Sequence, residues 1–184
     1  MDSETPAAPI GRCRPVRYRG PMRMRRADRE ITDPVALRDI VAAAEVGHLG
    51  LMDDEGIYVV PLSFVHTVRE DGRDTVYVHG APEGRKVSAI TARPDAVVCF
   101  QTEVRHATIG LDDPNLEHLS VWYESVIGWG KARLVDDPDE ALVAGALLVE
   151  KYAPGRGHEL RALPPNVLFL AIDLEQMSGK ARQP

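Results

Sequence analysis

Between Val46 and His79 three apolar runs follow one another with only short polar turns between them. That spacing leaves no room for a crossover helix after each strand, so the chain cannot be a regular alternating βαβ sheet. Val46 to Met52 runs into the turn Asp53-Asp54-Glu55-Gly56. Ile57 to His66 alternates, with Tyr58, Val60, Leu62 and Phe64 on one side, and the polar stretch Arg69 to Arg73 leads to Thr75-Val76-Tyr77-Val78-His79. Alternation with turn signals at such short intervals is an antiparallel meander.

The rest of the chain adds helices around that meander. Thr32-Asp33-Pro34 opens one, with Thr32 or Asp33 as N-cap and Pro34 in the first turn. Val35, Leu37, Ile40, Val41 and Ala44 form its apolar face, and Gly47 is the expected stop. Pro82 to Arg93 reads as a second helix with Pro82 in its first turn; Val87, Ala89 and Ile90 pack, and Pro94 stops it. Ala96 to Gln101 is a buried strand, and residues 103–118 are a polar stretch without an assignment. Ser120 to Val135 is a long strand bent near Gly128 and Gly130. Asp136-Asp137-Pro138 caps a helix over Asp139 to Tyr152, with Ala141, Leu142, Gly145, Leu148 and Val149 facing inward. Pro154 to Pro165 is a loop, and Val167 to Leu174 is the last strand. The expectation is a mainly β, α+β fold: a six-stranded antiparallel barrel with peripheral helices, since closure removes sheet edges.

At 184 residues the chain suits one domain, placed at 23–184, behind a flexible basic arm over 1–22. The net charge of −6 is unevenly spread. Residues 1–29 hold eight arginines against Asp2, Glu4 and Asp28, a balance of +5 that leaves −11 on the remainder. An acidic body repels phosphate backbones, and the arm has neither a reading helix nor interleaved aromatics beyond Tyr18, so no nucleic-acid partner is expected. No apolar run approaches the ~20 residues that span a bilayer, and no apolar leader segment is visible, so no membrane partner is expected either. Cys13 and Cys99 are not placed to pair, which suits a reducing cytoplasm. The six histidines (48, 66, 79, 106, 118 and 158) show no metal-ligand spacing. No complete G-x-G-x-x-G is present, and no Ser-His-Asp set can be read from the sequence.

Three segments carry chemistry. In His79-Gly80-Ala81-Pro82-Glu83-Gly84-Arg85-Lys86 a strand ends, a small-residue turn follows, and a helix starts with two cations. Free N–H groups at a helix start together with Arg85 and Lys86 suit a phosphate dianion. An exposed helix start with two ordinary surface cations accounts for this segment equally well. Tyr123 to Ala132 carries Ser125, Trp129 and two glycines, which allow a flat ring to approach the backbone; a bent barrel strand with a core tryptophan is the simpler account of that segment. In Val59-Val60-Pro61-Leu62-Ser63-Phe64 a proline removes a ladder donor, marking an edge or an irregularity.

Taken together the segments resemble the FMN-binding split-barrel superfamily, relatives of pyridoxamine 5'-phosphate oxidase, in its 5-nitroimidazole-resistance reductase-like branch. The matching residues are Met24 to Ile31, Val46 to Leu51, Tyr58 to Phe64, Val78 to Ala81 with Glu83 to Lys86, Tyr123 to Ala132, and Met177 to Lys180. They run in order along residues 24–180, and residues 103–119 match nothing that can be placed.

The resemblance implies a homodimeric flavoprotein with FMN at the subunit interface. It implies Pro61, Leu62, Ser63 and Phe64 beside the flavin ring. Gly84, Arg85 and Lys86 would receive the phosphate, and Ser125, Val126 and Trp129 would close the pocket. His79 matches a histidine near the flavin and is the candidate catalytic group. The implied activity is transfer of electrons from a donor such as NAD(P)H through FMN to a small nitro-aromatic or quinone-like acceptor. Two other readings stay open: a flavin- or haem-binding protein without turnover, in which His79 would ligate the iron, and a reductase using the deazaflavin F420.

Overall fold

The computed structural model describes residues 24–182, so the expected basic arm at 1–22 and Cys13 lie outside the described residues. Eight strands form one antiparallel sheet: β1 (Glu30–Ile31), β2 (Gly47–Asp53), β3 (Gly56–Leu62), β4 (Phe64–Val68), β5 (Asp74–Gly80), β6 (Val97–Ile109), β7 (Ser120–Leu134) and β8 (Leu168–Arg182). Three α-helices accompany them: α1 (Pro34–Ala43), α2 (Arg85–Ala92) and α3 (Pro138–Tyr152).

The sheet order is β3-β2-β6-β7-β8-β5-β4, with the short β1 pairing β8. The two ends of this path, β3 and β4, are consecutive in the chain and separated only by Ser63. The first half pairs with β2 as far as Gly47↔Leu62, and the second pairs with β5 from Phe64↔Val78. The sheet is therefore not closed by hydrogen bonds; one split strand joins its two edges covalently. This corrects the expected six strands to eight: the run expected over Ile57 to His66 is divided at Ser63, and β1 is added.

Alternation decides what faces inward. Leu49, Phe64, Val76, Val78, Phe100, Val126, Leu170 and Ile172 make the interior, with Leu37, Ile40 and Val41 of α1 and Ile90 of α2 packed against them. Asp33 caps α1, its side chain accepting from the Val35 N–H. α1 ends at Ala43, because Gly47 is already paired with Leu62 and Thr102 in the sheet and cannot serve as the helix stop. β6 and β8 run past their expected ends to Ile109 and Arg182, since backbone pairing to β7 continues where the core does not. The β7–β8 ladder slips between Trp129 and Gly130, close to the expected bend.

A second cluster, including Val65, Tyr77, Ala141, Ala144 and Phe169, seats α3 on the outside of the sheet. Glu140 anchors it. Its carboxylate accepts from Arg133 at 2.6 and 3.0 Å, from Arg69 at 2.8 Å and from the Tyr77 hydroxyl at 2.7 Å. At the far end of α3, the Tyr152 hydroxyl accepts from the Phe64 N–H and lies 2.6 Å from the Glu45 carbonyl. The Lys151 ammonium lies 3.6 Å from the centre of the Phe64 ring. The end of α3 thus fixes the strand where it splits.

Candidate functional site

The split at Ser63 opens a corner. Ser63 stands one residue before the first β4–β5 pair and His79 one residue after it, so both flank the point where β3 and β5 part. Beyond Gly80 the chain turns into α2. The helix starts at Arg85, three residues later than expected, because Gly84 holds φ at +118°, outside any helix and open only to glycine. Gly84 offers no side chain to cap, and the first turn holds no acidic residue, so no side chain satisfies the leading N–H groups or offsets their partial positive charge.

Arg85 and Lys86, adjacent in sequence, diverge. The Lys86 ammonium folds back over Gly80, so closely that a Cβ at Gly80 would lie 2.5 Å from Nζ. It is half-buried, burial pushes its pKa down, and no acid among the described residues neutralises it. Arg85 turns toward the β2–β3 turn. Its Nε and Nη2 donate to the two oxygens of Asp53 at 2.6 and 2.9 Å, Nη1 lies 3.4 Å from Glu55, and its face covers the Tyr58 ring at 4.7 Å. The guanidinium holds the Asp53 carboxyl down at about 2.

A second feature lies on the outer face of β3-β2-β6-β7. Cross-strand register lines up Val59, Gly50, Cys99 and Trp129 in one row, and Pro61, His48, Gln101 and Ile127 in the next. Gly50 leaves a depression, and the result is an apolar groove of about 620 Å³ that also takes in Met52, Ile57 and Val97. Ile57 is 83% exposed and Val59 57%. His48 borders the groove, and its Nδ1 is buried without a hydrogen-bond partner among the described residues. Another cavity, about 680 Å³, is lined by Asp28, Glu30, Asp39 and Glu124 against the single cation Arg29, and that net acidic rim is unsuited to a phosphate.

The expected site residues divide accordingly. Ser63 and His79 flank the split and Gly84 and Lys86 open α2, but they do not share one face: Lys86 lies over Gly80, on the Val78 side of β5, whereas His79 stands on the opposite side with Tyr77 and Phe169. His79 is exposed, with its ring 6.0 Å from Phe169. Pro61, Ser125 and Trp129 face outward on the groove side, where the Ser125 hydroxyl donates to the Lys180 carbonyl. Phe64 and Val126 are sealed in the barrel interior and Leu62 packs against it, so these three offer a ligand backbone and not side chains: the alternation that exposes Pro61 and Ser63 turns Leu62 and Phe64 inward. The groove residues His48, Gly50, Met52, Ile57, Val59, Val97, Cys99 and Gln101 were not anticipated, although the unbroken apolar run Ile57 to Leu62, apolar on both faces, was their signal. Asp53 was not anticipated either. Among the described residues no group of three or more His, Cys, Asp or Glu could hold a metal ion, and no helix is long and apolar enough to cross a membrane.

Comparison with known proteins gives a consistent pattern. A family model described as pyridoxamine 5'-phosphate oxidase matches residues 33–181. No match was found among curated proteins. Among solved structures, the chain is similar to a candidate 5-nitroimidazole antibiotic resistance protein of Bacteroides thetaiotaomicron, at 25% identity and TM-score 0.64, covering 83% of this chain and 86% of that one. It shares its fold with the flavocytochrome Anf3 of Azotobacter vinelandii (22% identity, TM-score 0.69, 88% and 72% covered). The same holds for a FAD- and haem-binding protein of Mycobacterium smegmatis (18% identity, TM-score 0.68, 85% and 74% covered).

Proposed function

This chain belongs to the pyridoxamine 5'-phosphate oxidase family, and from that premise we propose that it is a homodimeric FMN-dependent oxidoreductase. The observation that carries the reading is Lys86: a half-buried ammonium without an acidic partner among the described residues, beside the uncapped start of α2. A phosphate is the group that such a corner fits, because N–H donors and one cation converge without a competing carboxylate in the first turn.

Lys86 and the α2 N–H groups bind the phosphate. Ser63 and the backbone around it flank the ring, and Tyr152 holds Phe64 so that this segment keeps its shape. When bound, FMN supplies hydride and electron transfer between a donor such as NAD(P)H and a small acceptor. The apolar groove beside Trp129, open in the single chain, excludes water once a second copy covers it and then favours a flat acceptor, nitro-aromatic or quinone-like. His79, exposed at the end of β5 beside Phe169, is the hydrogen-bond donor for a substrate that reaches that side of the split. The exposed Met52, Ile57, Val59 and Val97 supply the face that a second copy covers, because apolar clusters of this kind mark interaction surfaces.

The test is the absorbance spectrum of the purified protein, followed by titration with FMN. A yellow protein, or a colourless one that takes up FMN stoichiometrically, is expected. A folded protein that never takes up FMN would sink the reading.

A further inference from the structure

Sequence adjacency puts two cations at the phosphate corner, but the geometry leaves one. Arg85 spends Nε and Nη2 on Asp53, points Nη1 at Glu55 and lays its face on Tyr58. The Nε–Nη2 fork, which would grip a second anion bidentately, is thereby spent on Asp53, and the remaining nitrogen faces a second carboxylate, Glu55. Counted together, Arg85, Asp53 and Glu55 carry a net negative charge, so this group attracts no further anion. Lys86 is left with the helix start.

The turn that holds Arg85 grips α2 at both ends. Asp53 takes Arg85 at the first residue of the helix, and Asp54 pairs with Arg93 at its C-cap. Asp53 therefore differs from its neighbour in one respect: the cation it withholds stands at the corner, whereas Arg93 is a helix length away.

We propose that Asp53 is a positioning residue that sets the charge of the phosphate corner, keeping Arg85 off the ligand so that Lys86 and the α2 N–H groups alone meet the phosphate. The inference rests on the flavin reading. It makes the site a weak one for dianions by construction, tunable by a single carboxylate that never touches the ligand.

Flavin-fluorescence titrations of the full chain with FMN and with riboflavin, which lacks the phosphate, test it. Asp53→Asn frees Arg85 and should tighten FMN about tenfold, since one charge-assisted contact contributes roughly that factor, while riboflavin affinity stays put. The gain should vanish in Asp53→Asn combined with Arg85→Gln. Asp54→Asn should shift neither ligand. Arg85→Gln alone should leave FMN affinity within about threefold of the wild type, well under the loss of a direct charge-assisted contact. If Arg85→Gln weakens FMN tenfold or more with riboflavin unchanged, Arg85 is itself a ligand and the inference falls. It also falls if the wild type binds FMN and Asp53→Asn fails to tighten it. Should Asp53→Asn lose riboflavin as well, that variant has disturbed the fold and the Arg85→Gln titration decides. A folded wild type that binds neither flavin overturns the flavin reading itself.

Discussion

Lys151 is a test of how the split strand is held. Its ammonium is buried without a hydrogen-bond partner among the described residues and faces the Phe64 ring at 3.6 Å. Burial pushes its pKa from 10.5 down to about 8. A gap of that size corresponds to about 3 kcal/mol at 1.36 kcal/mol per unit, and partial solvent access around the side chain reduces it to about 1–2 kcal/mol. The Phe64 contact offsets ~0.5–1 kcal/mol of this. Methionine keeps the stem, fills the site and retains a contact with the ring. Lys151→Met should therefore stabilise the protein by about 1 kcal/mol at pH 7 in urea denaturation. The sign of the pH dependence is fixed. Below pH 8 the amine is charged in both folded and unfolded chains, and the folded state bears the whole penalty. Between pH 8 and 10.5 the folded chain sheds the proton first, so the wild type gains stability with rising pH while the variant does not. The advantage of methionine should thus be largest near neutrality and close toward pH 10.5. A variant less stable than the wild type at pH 7, or a difference that ignores pH over that window, would refute the assignment of an uncompensated buried ammonium.

Other substitutions probe the remaining elements. Glu140→Gln leaves Arg133 and Arg69 facing each other without their shared carboxylate and should cost about 2 kcal/mol in urea denaturation at pH 7. The folded Glu140 pKa, about 2 against an ordinary 4.5, means that its contribution is present above pH 4.5 and lost as pH falls toward 2; the variant should lack that acid limb. Gly80→Ala puts a methyl where the Lys86 ammonium rests, so FMN affinity should drop about tenfold, with riboflavin affinity and stability unchanged. Ile57→Lys plants a charge in the exposed apolar face, and sedimentation velocity should show the wild type at twice the chain mass and the variant at one.

Much of the fold was legible because the interior strands obey alternation: Leu49, Tyr58, Val60, Phe64, Val76 and Val78 fall where their spacing puts them. The long ends of β6 and β8 were not, because there the strands are held by backbone pairing and their side chains carry no period. The split at Ser63 was marked only by Pro61, whose missing N–H shows that a ladder is interrupted but not which strand takes over. The start of α2 was misplaced because Pro82 favours a first turn in general, and the positive φ that excludes Gly84 from the helix is a tertiary fact. The site shows the same limit more sharply. Arg85 and Lys86 read as a pair, yet consecutive residues on a helix point about 100° apart and do not share a ligand by default. What decides between them is Asp53, thirty-two residues earlier, brought to Arg85 by the β2–β3 turn. A run of cations at a helix start therefore specifies the class of ligand, but the number of charges it presents is set by whichever carboxylates the fold carries there. In this chain the acidic turn Asp53-Asp54-Glu55, legible only as a loop, is the element that sets it.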